Sequence, residues 1–180
     1  MESELQRFMI ETPSLHLLPC RLEHFDALLR DERELATLLG VSLAPDWLSF
    51  DAAREAIPYS RAYLEAHPED APWWTHFIVH RADRALLGLG GYKGRPDADG
   101  SVEVGYAIAP PYQGRGLATE ATRGMIEHAF AHTEVLQVLA HTLPEPNAST
   151  RVLEKAGLAF VGPIIDPDDG EIWRWRILRT

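Results

Sequence analysis

The sequence predicts an α/β (α+β) fold in which antiparallel strands and amphipathic helices share one domain. Its 180 residues suit a single domain spanning residues 1–180, with enough chain to bury a substantial core. Short apolar segments joined by tight turns in the middle of the chain predict an antiparallel meander. Longer segments with apolar residues at helical spacing lie on both sides of that meander.

One strand and one long helix are predicted near the start of the chain. Residues 14–20 are short and apolar, as in a strand. Residues 22–39 carry Phe25, Leu35 and other apolar residues at roughly helical spacing, and Gly40 would end that helix.

A second helix is predicted over residues 51–65. Asp51 is a candidate N-cap, and Pro58 predicts a kink or a break inside the helix. Residues 67–74 contain two prolines and are predicted to form a loop.

The residue composition in the middle of the chain predicts strands. Residues 75–81, 85–93 and 101–109 are rich in β-branched, aromatic or other apolar residues. The segment 94–100 between the last two is rich in Gly, Pro and Asp, which is typical of a turn. Three strands joined in this way predict a meander.

The best amphipathic helix is predicted over residues 117–131. Ala118, Ala121 and Met125 share an apolar stripe, while Glu120 and Glu127 lie on the opposite side. Beyond it we expect a strand at 136–143, a short helix at 149–155 ended by Gly157, and a final hairpin with strands at 160–165 and 172–178.

Composition narrows the functional classes. The formal net charge is −10, from 17 basic and 27 acidic residues, so the chain gains little from phosphate backbones and we expect no nucleic-acid partner. The single cysteine, Cys20, allows no intrachain disulfide and is expected to be a buried structural thiol in a cytoplasmic protein. Residues 1–4 show no secretory signal, and we expect no membrane partner.

The sharpest functional signal lies between a predicted strand and the best predicted helix. It reads Gln113-Gly114-Arg115-Gly116-Leu117-Ala118-Thr119. Glycines let the backbone turn tightly, and the first amides of the helix have no intrahelical acceptors. Together with the helix dipole these amides predict an anion site, to which Arg115 adds a positive charge and for which a pyrophosphate is the natural guest.

Two other phosphate motifs fit this turn poorly. A P-loop requires Gly-Lys-Ser/Thr, which the turn lacks. A dinucleotide fingerprint requires Gly where Thr119 stands, and its strand should open a βαβ unit rather than follow a meander. A nicotinamide-dependent oxidoreductase is therefore disfavoured. On its own, the Gly-x-Gly sequence could also serve only to make a sharp turn.

Two segments resemble motifs of the GNAT superfamily of N-acetyltransferases. The first is Val104-Gly105-Tyr106-Ala107-Ile108-Ala109-Pro110 followed by the 113–118 segment, and it is similar to the central Arg/Gln-x-x-Gly-x-Gly/Ala motif. The second is Asn147-Ala148-Ser149-Thr150-Arg151-Val152-Leu153-Glu154-Lys155-Ala156-Gly157-Leu158, which resembles the motif ending Glu-Lys-x-Gly-Phe. The chain most resembles the branch that includes ribosomal-protein N-terminal (Rim-like) acetyltransferases.

The resemblance implies a mixed, mostly antiparallel sheet of about seven strands with helices on both faces and splayed central strands. It implies that acetyl-CoA is the cosubstrate and that no metal is needed. The backbone at Tyr106 and Ile108 would bind the pantetheine arm, and the segment from Gln113 to Thr119 would hold the pyrophosphate. Asn147 would contact the coenzyme, although a plain helix N-cap explains this residue equally well.

Glu103 is the candidate base for the acceptor amine. An amine with a pKa of about 8 to 10 is mostly protonated at neutral pH, so a base must take its proton, directly or through water. Glu103 lies between Val102 and Val104 on a predicted central strand, where a carboxylate is costly to bury without a partner. Family members often carry a Glu at this place. The alternative is that Glu103 only solvates an open face.

The acid that serves the departing sulfur is expected near residue 149. Many family members use a Tyr at the position of Leu153, which this chain lacks. The resemblance implies Ser149 as the replacement. The branch spacing is Asn-x-x-Ser, however, whereas Asn147 and Ser149 are separated by one residue, so Thr150 or water remain alternatives.

Several other residues have a structural and a functional interpretation. His128 and His132 could bind a metal but are expected to be surface histidines, because no His-Glu-x-x-His pattern exists. His141 is an alternative base or a structural strand-end residue. Trp73 and Trp74 are candidates to line the acceptor site. Trp173 and Trp175 are expected to pack in the core, while Arg174 and Arg176 face solvent or an acidic substrate. Lys155 is expected on the surface, with a contact to the coenzyme.

We therefore expect direct acetyl transfer from acetyl-CoA to a primary amine in a ternary complex, without a covalent acyl-enzyme. The acceptor would be an amine-bearing small molecule or a protein N-terminus, and the resemblance allows a homodimer. A non-catalytic coenzyme A-binding module is the alternative; the missing Tyr at Leu153 favours it and Glu103 argues against it.

Overall fold

The structure is a computed structural model and describes residues 8–180. The first seven residues lie outside the described part of the chain, and so does the segment 1–4 on which the prediction of no secretory signal rests. Along the described chain the helices are α1 Leu22–Arg30, α2 Glu32–Leu39, α3 Asp51–Ala66, α4 Leu117–Phe130 and α5 Ala148–Ala156. The strands are β1 Ile10–Glu11, β2 Leu15–Pro19, β3 Ser42–Leu43, β4 Thr75–His80, β5 Ala85–Tyr92, β6 Ser101–Ile108, β7 Gln137–Thr142, β8 Ala159–Asp166 and β9 Gly170–Leu178.

The strands form one mixed sheet in the order β1-β2-β4-β5-β6-β7-β9-β8, with β3 paired to β5. Strands β4, β5 and β6 are the predicted antiparallel meander. The pairings β3–β5 and β6–β7 are parallel, and the other pairs in residues 8–180 are antiparallel. The predicted fold class is confirmed; the two strands beyond the expected seven are the two-residue β1 and β3.

Residues 22–39 form two helices, so the prediction of one helix is wrong. Asp31 adopts an extended conformation (φ −162°, ψ 127°) and caps α2 by accepting a hydrogen bond from the Arg33 amide at 2.9 Å. This local capping bond competes with continued helix, which apolar spacing alone does not reveal. Gly40 ends α2 in the left-handed conformation, as predicted.

Helix α3 also begins differently from the prediction. Its N-cap is Phe50, which has no side-chain capping bond, and Asp51 is the first helical residue. Pro58 does not break the helix, which runs on to Ala66. The following residues, expected to be loop, contain the short 3₁₀ helix Pro68–Trp73.

The core is built around the meander. All five residues from His76 to His80 on β4 are buried, so both faces of this strand are covered. Cys20 is fully buried, and burial raises the pKa of its thiol well above the ordinary value, which keeps it protonated. None of the helices in the described chain is both long and apolar enough to cross a bilayer.

His128 and His132, expected to be surface histidines, are half-buried. Their rings pack on the buried Trp73, with centroid separations of 6.2 and 4.8 Å. The nearby His76 is fully buried, and its Nδ1 lies 3.0 Å from the Trp74 carbonyl oxygen. Burial is the main cause that lowers the pKa of His76 to about 4 and lowers that of His128 as well.

We predict that His76 makes the fold sensitive to acid. Because its folded-state pKa of about 4 lies below the ordinary 6.5, the unfolded chain binds the proton more readily. Stability from this residue is complete above pH 6.5 and is lost as the pH falls toward 4, by about 3 kcal/mol at about 1.4 kcal/mol per unit. Urea unfolding across this window should show a smaller loss for His76→Gln than for the parent; parallel curves would contradict the prediction.

Candidate functional site

Strands β6 and β7 pair along only part of their length and then separate. They pair only from Ser101 to Glu103 on β6, opposite Gln137 to Leu139 on β7. Both strands then continue, β6 to Ile108 and β7 to Thr142, without pairing to each other. One edge of β6 is therefore left without a strand partner past Glu103, which is the splay that was expected.

The backbone groups on this free edge belong to alternate residues. The Glu103 carbonyl accepts from the Lys93 amide (3.0 Å), and the Ala109 amide donates to the Leu87 carbonyl (2.7 Å), so odd-numbered residues face β5. Alternation then turns the backbone groups of Tyr106 and Ile108 into the gap. The Ile108 carbonyl accepts one bond from the Gln113 side-chain amide at 2.8 Å. An extended ligand could pair with the remaining groups as an added strand.

The turn before α4 requires glycine for its conformation. Gly114 and Gly116 have φ values of 72° and 78°, in the left-handed region that side chains disfavour. A Cβ added at either position would meet no protein atom within 4 Å, so crowding by the protein does not explain these glycines. The space beside them is open to a ligand.

Helix α4 directs free amides toward that space. Its first amide with a helical acceptor is that of Glu120, which donates to the Gly116 carbonyl at 3.0 Å. The amides from Gly116 to Thr119 precede it and have no intrahelical acceptor. With the positive end of the helix dipole they form an anion site. Arg115, which lies over the Tyr112 ring at 4.8 Å, adds positive charge to the same turn.

The turn and the free edge of β6 line one cleft of about 440 Å³. Helix α5 forms its far side through Ser149, Arg151, Val152 and Lys155. Lys155 is exposed and lines this cleft, where it was expected to contact a coenzyme. Below, this space is called the α4 cleft.

Glu103 lies where β6 and β7 separate and is held by two partners. Lys93 pairs with its carboxylate, and His141 Nδ1 lies 2.9 Å from the same oxygen. Burial opposes ionisation of Glu103, but these two bonds outweigh burial and hold its pKa below the ordinary value. Glu103 is therefore a charged acceptor at neutral pH rather than a residue that merely solvates an open face.

Arg174 fixes the proton of His141. The Arg174 Nε–H donates to His141 Nε2 at 3.1 Å, and a guanidinium has no acceptor atom. Nε2 must therefore carry the lone pair, which leaves the proton on Nδ1, where it is donated to Glu103. In this tautomer His141 is a donor to Glu103 and is not free to act as the base.

Tyr106 reaches across the gap toward helix α5. Burial raises the pKa of its hydroxyl to about 12, and the neighbouring Ser149 hydroxyl offsets a little of that rise. The Tyr106 hydroxyl is buried and makes no hydrogen bond of good geometry within residues 8–180. A buried hydroxyl without such a partner is costly, so a ligand that accepts a hydrogen bond from it would be stabilised here.

Asn147 and Thr150 are occupied with each other. The Asn147 side chain accepts from the Thr150 amide, and the Thr150 hydroxyl accepts from the Asn147 amide, both at 3.0 Å. The Thr150 hydroxyl also donates to the Asn147 carbonyl at 2.9 Å. Asn147 is thus an N-cap, and Thr150 has no hydroxyl proton left for a ligand. Ser149 lies between them and lines the α4 cleft.

Some predicted site residues have other positions. Trp73 is buried in the ring cluster with the histidines and is not free to line an acceptor site. Trp74 stacks on Tyr63 with ring centroids 3.9 Å apart. Arg174 does not face solvent as expected, because it is bound to His141.

The last strand otherwise follows the expected alternation. Trp175 is buried and donates to the Thr142 hydroxyl at 3.0 Å. Trp173 is half-buried against Phe160, and Arg176 is exposed. Leu153, which stands where a Tyr was sought, is buried and lines the small cavity beside Glu103.

Sequence reasoning missed Lys93, Arg174 and the Tyr106 hydroxyl as parts of the site. Lys93 follows β5 directly and Arg174 lies in β9, so their convergence on Glu103 and His141 leaves no local pattern. Tyr106 was expected to contribute backbone only. The alternation that places its backbone in the gap gives no information about its hydroxyl.

Comparisons with known proteins agree on one family. The sequence model of the acetyltransferase (GNAT) domain family matches residues 14–159. The N-acetyltransferase YjdG of Bacillus subtilis (strain 168), itself uncharacterized, is 27% identical over 149 residues, covering 83% of this chain and 88% of YjdG.

Two solved structures share the fold. RimL, a ribosomal L7/L12 α-N-protein acetyltransferase in complex with coenzyme A, has a TM-score of 0.68 at 13% identity, covering 94% of this chain and 97% of RimL. A spermidine N-acetyltransferase SpeG chimera from Vibrio cholerae and hSSAT has a TM-score of 0.66 at 17% identity, covering 92% of this chain and 95% of the chimera.

We predict that Arg174 sets the tautomer of His141. In the parent protein at neutral pH, long-range ¹⁵N–¹H correlation spectra should show His141 with its proton on Nδ1. Arg174→Met removes the donor to Nε2, so a proton should appear on Nε2. Arg176→Met removes an exposed arginine of the same strand and should leave the His141 signals unchanged. An unaltered tautomer in Arg174→Met would contradict the assignment.

Proposed function

The chain belongs to the GNAT acetyltransferase family, and from this membership we propose that it transfers an acetyl group from acetyl-CoA to a primary amine. Transfer would be direct, within a complex of enzyme and both substrates. The observation that carries the proposal is the combination of free α4 amides with the unpaired edge of β6, which leads from the anion site to Glu103.

The residues present fit the coenzyme in three respects. The amides from Gly116 to Thr119 suit a pyrophosphate, with Arg115 beside them. The free edge of β6 suits the amide groups of a pantetheine arm. The buried Tyr106 hydroxyl has a proton to donate where the arm would end, beside Ser149. Bound in this way, acetyl-CoA would supply an activated acetyl group.

Glu103 would act on the acceptor amine through its charge. Its pKa lies below the ordinary carboxyl value, whereas the pKa of an alkylammonium is near 10, so Glu103 cannot hold the amine's proton at equilibrium. It can hydrogen-bond the small neutral fraction of the amine, directly or through water. It can then accept the proton as the new C–N bond forms and the nitrogen becomes acidic.

The hydroxyls of Ser149 and Tyr106 would serve the departing sulfur as the C–S bond breaks. A thiol has a pKa of about 8.5, well below the value of about 12 for Tyr106, so full proton transfer from Tyr106 is unfavourable. Its role would be a hydrogen bond that stabilises the sulfur. Ser149 would act beside it, while the Thr150 hydroxyl is committed to the helix cap.

Two alternative functions were considered from the sequence, an oxidoreductase and a non-catalytic binding module, and different observations argue against each. Family membership removes the nicotinamide-dependent oxidoreductase. A non-catalytic coenzyme A-binding module would have no use for a charged Glu103 held by Lys93 and His141 in the small cavity next to the α4 cleft. The relatives RimL and SpeG are named for acceptors as different as a ribosomal protein and spermidine, and both acceptors carry primary amines.

We predict that Gly116→Ala weakens coenzyme binding. The left-handed conformation makes a side chain cost about 1–2 kcal/mol of stability, and the new methyl group projects into the open space beside the turn. Gly157, at φ 98° on the far end of α5, provides a matched control. By calorimetry, Kd for coenzyme A should rise about tenfold in Gly116→Ala and stay unchanged in Gly157→Ala. Equal affinities in both variants would count against the proposal.

We predict that Glu103→Gln lowers kcat about a hundredfold or more without changing the affinity for acetyl-CoA. Lys93→Met should raise the pKa of Glu103, because it removes a bond that lowers it. The acid limb of the pH profile of kcat/KM should therefore move to higher pH. Arg33→Met removes an exposed positive charge on helix α2, which lines neither the α4 cleft nor the cavity of Glu103, and should leave that limb in place. Parent-like rates in Glu103→Gln would remove this residue from the mechanism.

A further inference from the structure

A second, smaller cavity lies between helix α3 and strands β5 and β6. Helix α3 contributes Ala53, Ala56, Ile57 and Ser60 to its lining, and α1 contributes Phe25. Strand β5 and the residue after it contribute Leu89 to Lys93, β6 contributes Gly105 to Ala107, and β4 contributes Thr75. Its volume is about 270 Å³, and it is called the α3 groove below.

The α3 groove is continuous with the catalytic residues. Lys93, Gly105 and Tyr106 line both the groove and the cavity of about 120 Å³ that contains Glu103 and His141. Tyr106 and Ser149 in turn line both that cavity and the α4 cleft. The α3 groove and the α4 cleft thus both adjoin the cavity that contains Glu103.

Gly105 keeps the passage to Glu103 open. Side chains alternate along a strand, so position 105 shares its face of β6 with Glu103. A Cβ at Gly105 would meet no protein atom within 4 Å, which means that nothing of the protein fills this space.

The residues that line the α3 groove determine which class of molecule it can bind. Among the lining residues, all of which lie in the described chain, Lys93 is the one with a formal charge, and it is paired with Glu103. No carboxylate lines the groove to pair with a second ammonium group. A peptide N-terminus would bring amide groups that this mostly apolar lining would leave unpaired, at a cost of about 1–3 kcal/mol each. The volume also lies just below the range of roughly 300–1,000 Å³ typical of sites for drug-sized ligands.

We propose that the α3 groove binds a small primary amine whose substituent is short, apolar and uncharged. The inference rests on the proposed acetyl transfer and adds the class of acceptor. Polyamines and peptide N-termini are poor acceptors for this chain, the former because they carry a second charge and the latter because they carry unpaired amides.

A matched pair of amines tests the proposal directly. Pentylamine and 1,5-diaminopentane have the same carbon chain and differ in the second ammonium group. With release of the coenzyme thiol as readout, kcat/KM for pentylamine should exceed that for 1,5-diaminopentane at least about tenfold, which corresponds to about 1.4 kcal/mol. Tri-alanine, which offers an N-terminal amine with peptide groups, should also be slower than pentylamine.

A variant can reverse the preference. Ala56→Glu places a carboxylate on the α3 groove, so the diamine should gain at least about tenfold relative to pentylamine. Ala62→Glu adds the same charge to an exposed position of the same helix that does not line the groove, and it should leave the ratio unchanged. Equal shifts in both variants would show a long-range charge effect and would overturn the assignment of the groove.

The results separate this inference from the proposed function. Thiol release with 1,5-diaminopentane or tri-alanine that matches or exceeds release with pentylamine overturns the acceptor class while leaving acetyl transfer intact. Binding of acetyl-CoA by calorimetry without thiol release for any of the three amines overturns both. Faster release with pentylamine, together with the Ala56→Glu reversal, supports the inference.

Discussion

The parting of β6 and β7 after Glu103 is the constraint on which the rest of the site depends. In a continuous sheet the backbone groups of Tyr106 and Ile108 would form hydrogen bonds with a neighbouring strand. Because pairing stops at Glu103, these groups face a gap that leads from the α4 amides toward the half-buried carboxylate of Glu103. The same gap lets residues from β6, β7 and α5 meet around one small cavity.

Charge in this cavity is balanced rather than merely buried. A carboxylate taken out of water is costly unless charged or polar partners compensate for the loss. Lys93 and His141 provide that compensation for Glu103, and Arg174 fixes the tautomer in which His141 can donate. The arrangement keeps Glu103 ionised while leaving the lining of the α3 groove without any carboxylate. The groove would therefore bind the acceptor through apolar contacts, while the charge that acts on the amine comes from Glu103.

A capping interaction resolves the unusual spacing of Asn147 and Ser149. The reciprocal bonds of Asn147 and Thr150 satisfy amides at the start of α5 and consume the Thr150 hydroxyl. Ser149 is left on the helix turn that faces Tyr106, with its hydroxyl beside a phenol that makes no hydrogen bond of good geometry in residues 8–180. Local helix chemistry thus decides which hydroxyl is available to a ligand.

The sequence alone determined the elements that rest on local interactions. The meander, helix α4, the glycine turn before it and the ends of α2 and α5 at Gly40 and Gly157 follow from periodicity, backbone conformation and capping, which act over a few residues. The tertiary structure alone decided the packing of His128 on Trp73, the pairing of Lys93 and His141 with Glu103, and the bond from Arg174 to His141. Strand register and helix packing bring these side chains together from distant parts of the chain, and such long-range pairing leaves no pattern in neighbouring residues.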